Sequence, residues 1–253
     1  MRGVVRALAV LRELNANNGA SGLELHQATG ISRTALYRIM RTLQNAGYLA
    51  VDEQSQRLRL TPLVRHLSDG YEEASWITEV AGPLLEQLQR TVIWPTDLFS
   101  LYDDMMVMRR TTRRVSPWTF DRVMLGFRMP VLVTACGRAC LAHLPEAAAE
   151  ELLARLQASA GPEYDALRRP DTVRDMLRQV RADGYALRGP EFMKETGSIA
   201  VPVFSNGAVI CAIAITYIAS AISQAEVVRR FAPLLKQTAR DIEAGIGAQA
   251  QQG

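Results

Sequence analysis

Apolar residues recur with helical spacing over the first third of the chain. A first amphipathic helix is predicted by the residues Val4, Leu8, Leu11 and Leu14. Ser21 begins a second helix, because Glu24 follows three residues later and this spacing is typical of a capping box. Gly30 ends that helix, since a C-terminal cap requires positive φ. Ser32 is the predicted N-cap of a third helix that runs to about Ala46.

The third helix has two faces of different character. Its inward face is apolar and consists of Leu36, Ile39, Met40 and Leu43. Its outward face carries hydrogen-bonding side chains and no acidic residue: Arg33, Thr34, Tyr37, Arg38, Arg41 and Gln44. Arg pairs with guanine and Gln with adenine in a major groove that admits a helix. With Ser32 at its start, this helix is therefore predicted to be the recognition helix of a helix-turn-helix that binds double-stranded DNA.

A short β-hairpin is predicted directly after the recognition helix. Residues 48–51 and 57–60 form its two strands, and the polar segment 52–56 forms its turn. Arg57 and Arg59 alternate with leucines in the second strand. We expect these two arginines to reach the phosphate backbone or the minor groove, as the wing of a winged helix-turn-helix.

The remaining two-thirds of the chain alternates between helical and strand-like patterns. Predicted helices cover residues 76–90, 134–144, 146–159, 171–183 and 223–244. Predicted strands cover residues 96–102, 105–111, 185–188, 197–205 and 208–218. Pro83 is expected to kink or divide the first helix. The turn Ser205-Asn206-Gly207 is a strong hairpin signal. Strands joined by hairpins predict a largely antiparallel sheet packed against helices, which is an α+β fold.

These elements predict four segments. A winged helix-turn-helix DNA-binding domain spans residues 1–61, and Pro62 starts a linker helix over residues 62–75. A larger domain spans residues 76–247. The polar end, residues 248–253, is expected to be a flexible tail.

Charge is distributed unevenly between these segments. The whole chain of 253 residues has a net charge of only +3. Residues 1–66, however, hold nine arginines against four acidic residues, whereas residues 67–253 hold 20 basic and 22 acidic residues. A basic N-terminal segment followed by a nearly neutral remainder indicates that only the N-terminal segment binds a polyanion such as DNA.

Several function classes are disfavoured by the sequence. The chain begins without the apolar stretch of a signal peptide, and its longest apolar run, residues 208–219, is too short to cross a bilayer. The three cysteines lack close C-x-x-C pairs, which fits a reducing compartment. We therefore expect a soluble, cytoplasmic protein with no membrane partner. No P-loop or Rossmann glycine pattern is present, and no cofactor or metal is expected.

One group of residues is compatible with an enzymatic function. Cys136, Cys140 and His143 share a predicted helix, and a thiol beside an imidazole is the pattern of a nucleophile or a metal site. Buried structural cysteines are the simpler interpretation, and no catalytic residues are assigned. An architectural DNA-binding protein that has no ligand is the third hypothesis.

The chain resembles the IclR family of bacterial transcription regulators along nearly its whole length. Four stretches carry the resemblance: residues 5–8 (VRAL), 30–38 (GISRTALYR), 132–139 (LVTACGRA) and 198–203 (SIAVPV). Three shorter stretches, residues 75–77 (SWI), 94–97 (WPTD) and 217–221 (YIASA), are similar to the branch that controls breakdown of 3-(3-hydroxyphenyl)propionate. The resemblance implies a GAF-like C-terminal domain that binds a small effector and forms dimers or tetramers.

The resemblance also places the effector pocket. The implied lining consists of Met124, Ala135, Cys136, Val201, Ala214 and Thr216. The implied effector is an aromatic carboxylate, for which Arg122, Arg128 and Arg188 are the candidate cations. Several family members place a polar residue near Val201 and a serine near Ala214. The apolar residues found here would suit an aromatic ring better than a small polar acid.

The sequence thus predicts an effector-responsive transcription regulator. Its partners would be a pseudopalindromic DNA operator, an aromatic acid and further copies of the chain as a homodimer or homotetramer. RNA polymerase is a further candidate partner.

Overall fold

The computed structural model describes residues 2–52, 54–68, 76–118, 125–158, 161–190 and 192–250. The chain divides into two compact units, Met1–Glu72 and Glu73–Gly253. The division falls inside the segment predicted to be a linker helix. Within that segment, Pro62–Ser68 forms a 3₁₀ helix rather than an α-helix.

The N-terminal unit contains three helices and a hairpin. Its elements are α1 (Arg2–Ala16), α2 (Gly22–Thr29), α3 (Arg33–Asn45), β1 (Leu49–Val51) and β2 (Leu58–Leu60). The predicted capping box is confirmed, because the Ser21 amide donates to Glu24 Oε2 at 2.7 Å and Ser21 Oγ accepts from the Glu24 amide at 3.3 Å. Gly30 adopts a φ of 65°, as its predicted capping role requires. Ser32 occupies the N-cap of α3, but its side chain makes no capping hydrogen bond.

The hairpin is joined to the helices through a small core. Strands β1 and β2 pair antiparallel, and Leu58 also bridges Ala20 in front of α2. The core is formed by Val10, Leu14, Leu25, Ile31, Leu36, Leu43, Leu49 and Leu58. Because this core draws on all three helices and both strands, it fixes the orientation of α3, whose polar face is left in solvent.

The C-terminal unit is built on a six-stranded antiparallel sheet. Its strands are β3 (Thr96–Tyr102), β4 (Met105–Thr111), β5 (Arg128–Pro130), β6 (Ala186–Leu187), β7 (Thr196–Ser205) and β8 (Ala208–Ile218), in the spatial order β5-β4-β3-β8-β7-β6. Asn206 (φ 49°) and Gly207 (φ 77°) form the predicted tight turn between β7 and β8. The short edge strand β5 was not predicted, because three residues ending in a proline give no alternating pattern.

Helices cover both faces of this sheet. They are α4 (Gly82–Val92), α5 (Ala135–His143), α6 (Glu146–Gln157), α7 (Pro170–Asp183) and α8 (Gln224–Ala250). A π-helical turn, Ile77–Ala81, leads directly into α4, and the helical backbone continues through Pro83, so the predicted 76–90 helix is not divided there. Helix α8 continues to Ala250, through the first residues of the predicted tail. A 3₁₀ helix at Pro162–Arg168, for which no element was predicted, precedes α7.

Two hydrophobic cores result, one on each face of the sheet. Helices α5, α6 and α7 pack on one face, where β8 presents Ala212 and Ala214. Helices α4 and α8 pack on the other, where β8 presents Ile213 and Ile215. Successive strand residues point to opposite faces, so double-sided burial explains the long apolar run of β8, which Thr216 alone interrupts. The predicted α+β fold is confirmed.

Helix α5 lies unusually close to the segment before it. A Cβ atom added to the buried Gly137 would fall inside contact distance of the Val131 backbone. We expect Gly137→Ala to lower the free energy of unfolding of the C-terminal unit by about 1–3 kcal/mol or more, because overpacking forces backbone shifts. Guanidinium denaturation followed by tryptophan fluorescence measures this, since Trp76, Trp94 and Trp118 all lie in that unit.

The matched control is Gly247→Ala in α8. A Cβ atom at Gly247 meets no atom within 4 Å, and alanine favours a helix over glycine by up to about 1 kcal/mol. An unchanged unfolding midpoint for Gly137→Ala would contradict the close approach of α5 to Val131.

Candidate functional site

The polar face of α3 is the first candidate site. All of the side chains predicted to contact DNA from this helix and its cap are exposed: Ser32, Arg33, Thr34, Tyr37, Arg38, Arg41 and Gln44. No acidic residue lies anywhere in α3. This face therefore presents positive charge together with hydrogen-bond donors and acceptors that match base edges in the major groove.

The two wing arginines differ in their surroundings. Arg57 donates to the Gly19 carbonyl at 2.7 Å and lies 3.4 Å from Glu24 Oε2, so it ties the hairpin to α2. Arg59 is exposed on β2, opposite Ala50. Backbone amides of the turn, chiefly that of Ser55, lower the pKa of the Asp52 carboxyl, and Arg59 adds a smaller coulombic contribution. Arg59 is thus the wing arginine better placed to meet a phosphate.

The second candidate site is a small cavity between the sheet and α5. Its apolar walls are formed by Phe99, Met108, Met129, Ala135, Cys136 and Met193. Its polar walls are formed by Arg113, Thr134, Arg188, Ser198 and Thr216. Its volume is about 30 Å³, enough for one or two water molecules. An aromatic molecule can enter only when some of these side chains move.

A buried ion pair forms one end of the cavity. Arg113 Nη2 lies 2.8 Å from Asp97 Oδ2, and both side chains are at least nine-tenths buried. Thr111 Oγ1 donates to Asp97 Oδ1 at 2.6 Å, and Arg113 Nη2 also donates to Thr216 Oγ1 at 3.2 Å. Because the Asp97 carboxylate neutralises Arg113, this arginine does not offer a net positive charge to a ligand.

Arg188 supplies a second guanidinium to the same cavity. Its backbone amide donates to the Ser198 carbonyl at 3.0 Å, and its Nη2 donates to the Thr196 hydroxyl at 2.8 Å. The Arg188 side chain lines the cavity together with the apolar residues. The cavity therefore combines apolar walls with a guanidinium, a group whose N–H donors bind carboxylates.

The N-terminus of α5 adds to the positive potential of the cavity. Thr134 caps this helix, accepting from the Gly137 amide at 3.2 Å and donating to the Pro130 carbonyl at 2.7 Å. Ala135 and Cys136 form the first helical turn and line the cavity. Amide groups at a helix N-terminus carry partial positive charge and favour anions.

The structure brings together only part of the predicted pocket. Ala135, Cys136, Arg188 and Thr216 line the cavity. Ala214 faces the same core without lining the cavity. Arg122 and Met124 lie outside the described residues.

Two predicted pocket residues lie elsewhere in the fold. Val201 packs into the core on the opposite face of the sheet, because its neighbour Ala200 takes the inward position on the α5 side. Arg128 is exposed on β5, with its guanidinium 5.5 Å from the centre of the Tyr102 ring. We therefore leave both residues out of the candidate pocket.

Several cavity residues were missed from the sequence. They are Phe99, Met108, Arg113, Met129, Thr134, Met193 and Ser198. Asp97 and Thr111 are paired across the β3–β4 hairpin, which brings Arg113, two residues beyond Thr111, near Asp97. The pairing of these neighbouring strands is the signal that could have identified Arg113. The methionines gave no such signal, since their proximity depends on how distant segments pack.

The cysteines of α5 do not resemble a nucleophilic site. Burial raises the pKa of the Cys136 thiol well above its usual value and that of Cys140 to about 12. His143 Nδ1 lies 2.9 Å from the Ala139 carbonyl within its own helix. Among the described residues, no group of three His, Cys, Asp or Glu side chains could hold a metal ion. Nor does any helix within the described ranges have the length and apolar character needed to span a membrane.

Comparisons with known proteins match both units of the chain to the same family. Residues 3–53 match the IclR helix-turn-helix domain, and residues 71–244 match the bacterial transcriptional regulator IclR C-terminal family. The chain is similar to the Pca regulon regulatory protein of Pseudomonas putida, with 26% identity over 245 residues that cover 96% of this chain and 83% of that protein. It is also similar to the p-hydroxybenzoate hydroxylase transcriptional activator of Acinetobacter baylyi, with 26% identity over 95% of this chain and 90% of that protein.

A solved structure shares the fold. It is an IclR homologue from Microbacterium hydrocarbonoxydans in complex with 4-hydroxybenzoate, with a TM-score of 0.69 and 21% identity. The match covers 97% of this chain and 99% of that one.

Two exposed arginines of the N-terminal unit should have separable effects on DNA binding. Arg38→Ala, on the recognition helix, should reduce the preference for operator over random DNA by about 1–3 kcal/mol, because a base contact is lost. Arg59→Ala, on the wing, should weaken binding to both DNAs alike and reduce the salt slope by about one phosphate contact. Fluorescence anisotropy across a salt series measures both effects. An unchanged operator-to-random ratio for Arg38→Ala would exclude its role in base reading.

The buried ion pair should be essential to the C-terminal unit. We expect Asp97→Ala to lower the free energy of unfolding by about 3–5 kcal/mol, because Arg113 is left as an uncompensated buried charge. The double variant Asp97→Ala/Arg113→Met removes both charges and should recover much of that loss. Equal unfolding midpoints for the single and double variants would show that the charge of Arg113 is not the cause.

Proposed function

Because the chain belongs to the IclR family of bacterial transcription regulators, we propose that it binds an aromatic carboxylate in the cavity under α5. Its N-terminal unit is a helix-turn-helix DNA-binding domain, and its C-terminal unit is an effector-binding domain. The aromatic acid alters either operator binding or promoter output. The observation that carries this proposal is the Arg188 guanidinium in a cavity with otherwise largely apolar walls.

The geometry supports one orientation of the ligand. The carboxylate lies between Arg188 and the first turn of α5, where a cation and helix amides both favour a negative charge. The ring lies against Phe99 and the methionines, whose unbranched side chains adapt to a flat ligand. The pair formed by Asp97 and Arg113 lies at the cavity wall, where its hydrogen-bonding groups can meet a ring hydroxyl.

Two related proteins support the choice of aromatic acids. One is named for activating p-hydroxybenzoate hydroxylase, and the structurally similar homologue was solved with 4-hydroxybenzoate. The Arg188 guanidinium fits the carboxylate that hydroxybenzoates and phenylpropionates share. The finer assignment to 3-(3-hydroxyphenyl)propionate stays a prediction that the ligand panel below tests.

The DNA-bound form is proposed to be a homodimer or a pair of dimers. Two copies of α3 would enter successive major grooves about 34 Å apart on a pseudopalindromic operator. The effector acts by binding one arrangement of the two DNA-binding units more tightly than another, which requires a differential affinity of about 1–3 kcal/mol. In this proposal the protein acts in the cytoplasm, with RNA polymerase as a further partner and without a membrane partner.

The two alternative functions receive less support. An enzyme that used Cys136 would need a thiolate, and burial raises the pKa of that thiol well above its usual value. The curated relatives are named as regulators, so we propose that the C-terminal unit has no catalytic activity. For an architectural protein without a ligand we expect a fully packed core, whereas a cavity lined by Arg188 and other polar side chains lies beside α5.

The deciding experiment measures operator binding with and without aromatic acids. The operator is first selected from a random DNA library, and its affinity is then measured by anisotropy. The panel contains benzoate, 4-hydroxybenzoate, 3-phenylpropionate and 3-(3-hydroxyphenyl)propionate, with benzamide as a neutral analogue. We expect one or more acids to shift operator affinity by roughly 5- to 150-fold, and benzamide to have no effect.

Arg188→Met should abolish that shift, because the carboxylate loses its cation. Arg128→Met is the matched control, since Arg128 is exposed in the same unit and does not line the cavity. An acid that acts equally on wild type and Arg188→Met would place the effector elsewhere. Operator binding that no acid shifts, together with no direct acid binding by calorimetry, would remove aromatic carboxylates as the effector class.

A further inference from the structure

Met193 has an unusual backbone conformation next to the cavity. Its φ is 51°, in the left-handed region where a side chain with a Cβ is strained. The other described non-glycine residues with positive φ are Gln56, Ile93, Asp103 and Asn206, and none of them lines the cavity. Strain of this kind persists only where the surroundings enforce it, and it is common at ligand-binding sites.

A short chain of hydrogen bonds holds this conformation. The Met193 carbonyl accepts from the Thr196 amide at 3.1 Å and from the Thr196 hydroxyl at 3.4 Å. The same hydroxyl accepts from Arg188 Nη2 at 2.8 Å. The strained residue is therefore linked through one threonine to the arginine proposed to bind the carboxylate.

The cavity must enlarge before a ring can enter it. Phe99 and Met108 lie on the central strands β3 and β4, where pairing on both sides restricts them. Met129 lies on β5, which pairs with β4. Met193 instead lies in the connection between β6 and β7, and any movement that returns its φ to negative values relieves strain. Of the wall residues, Met193 is thus the one whose displacement the backbone favours.

We propose that Met193 is a gate residue whose side chain limits the size of the ligand that the cavity accepts. In the closed state the side chain occupies ligand space, while Thr196 holds the Met193 carbonyl and Arg188 holds the Thr196 hydroxyl. A carboxylate that draws Arg188 away from Thr196 loosens this turn, so ligand binding and opening are coupled. The ligand part of this inference rests on the proposed function, whereas the gate itself can be tested without any effector.

Cys136 provides that independent test, because it lines the cavity and is only 2% exposed. The rate at which the small neutral reagent methyl methanethiosulfonate modifies Cys136 reports access to the cavity. Cys211 is buried in the core on the opposite face of the sheet, so its rate in the same sample reports general loosening. Mass spectrometry of the peptides measures both rates in the native full-length protein.

We expect Met193→Ala to raise the Cys136 rate roughly tenfold while the Cys211 rate stays unchanged, because truncation removes the side chain that closes the cavity. Met193→Leu retains the bulk and should keep the wild-type rate. Met129→Ala also shortens a wall methionine but leaves the strained turn intact, and it should have a much smaller effect. Thr196→Val should raise the Cys136 rate as well, whereas Thr196→Ser should not.

Three results would overturn the gate. They are an unchanged Cys136 rate in Met193→Ala, equal increases at Cys136 and Cys211, and an equal increase in Met129→Ala.

A second experiment tests size selection by measuring ligand affinity. It uses calorimetry with benzoate, 3-phenylpropionate and the bulkier 2-naphthoate. Met193→Ala should gain affinity most for 2-naphthoate, and a uniform gain or none would overturn the role of Met193 in selecting size. If no acid binds to wild type or variant, the proposed effector class and size selection both fail. The Cys136 modification rates still test whether Met193 controls access to the cavity.

Discussion

Burial of the six-stranded sheet on both faces is the constraint on which the C-terminal unit depends. Strand β8 pairs with β3 and β7, and its alternate residues enter the two separate cores. The α5 side of β8 carries alanines, and the α4–α8 side carries isoleucines. Small residues on one face leave room for α5 to pack against the sheet. The cavity lies under the start of that closely packed helix.

Polar groups concentrate where this packing is least complete. The pair Asp97–Arg113, the Thr216 hydroxyl and Arg188 surround one small space between β3, β8 and the start of α5. A buried pair satisfies its own charges, so Arg113 contributes shape and hydrogen bonds. The proposed acid would be bound by the Arg188 guanidinium. That guanidinium bonds to Thr196, which also holds the strained turn at Met193.

The two units of this regulator differ in their charge. The first unit carries the excess of arginine and an α3 face without acids, which suits a polyanion that is recognised largely through its phosphates. The second unit is nearly neutral, and two of its arginines, Arg113 and Arg188, line the cavity.

The sequence by itself determined the regular elements and the DNA-binding face. Local patterns fixed the capping box at Ser21, the outward side chains of α3 and the β7–β8 turn, because each depends on residues only a few positions apart. The pocket was only partly predicted. Val201 was assigned to the wrong face of β7, since a one-residue difference in strand register reverses a side chain. That Met193, Arg188 and Cys136 line one cavity was decided by tertiary structure alone, because their segments come together through packing rather than through any local pattern.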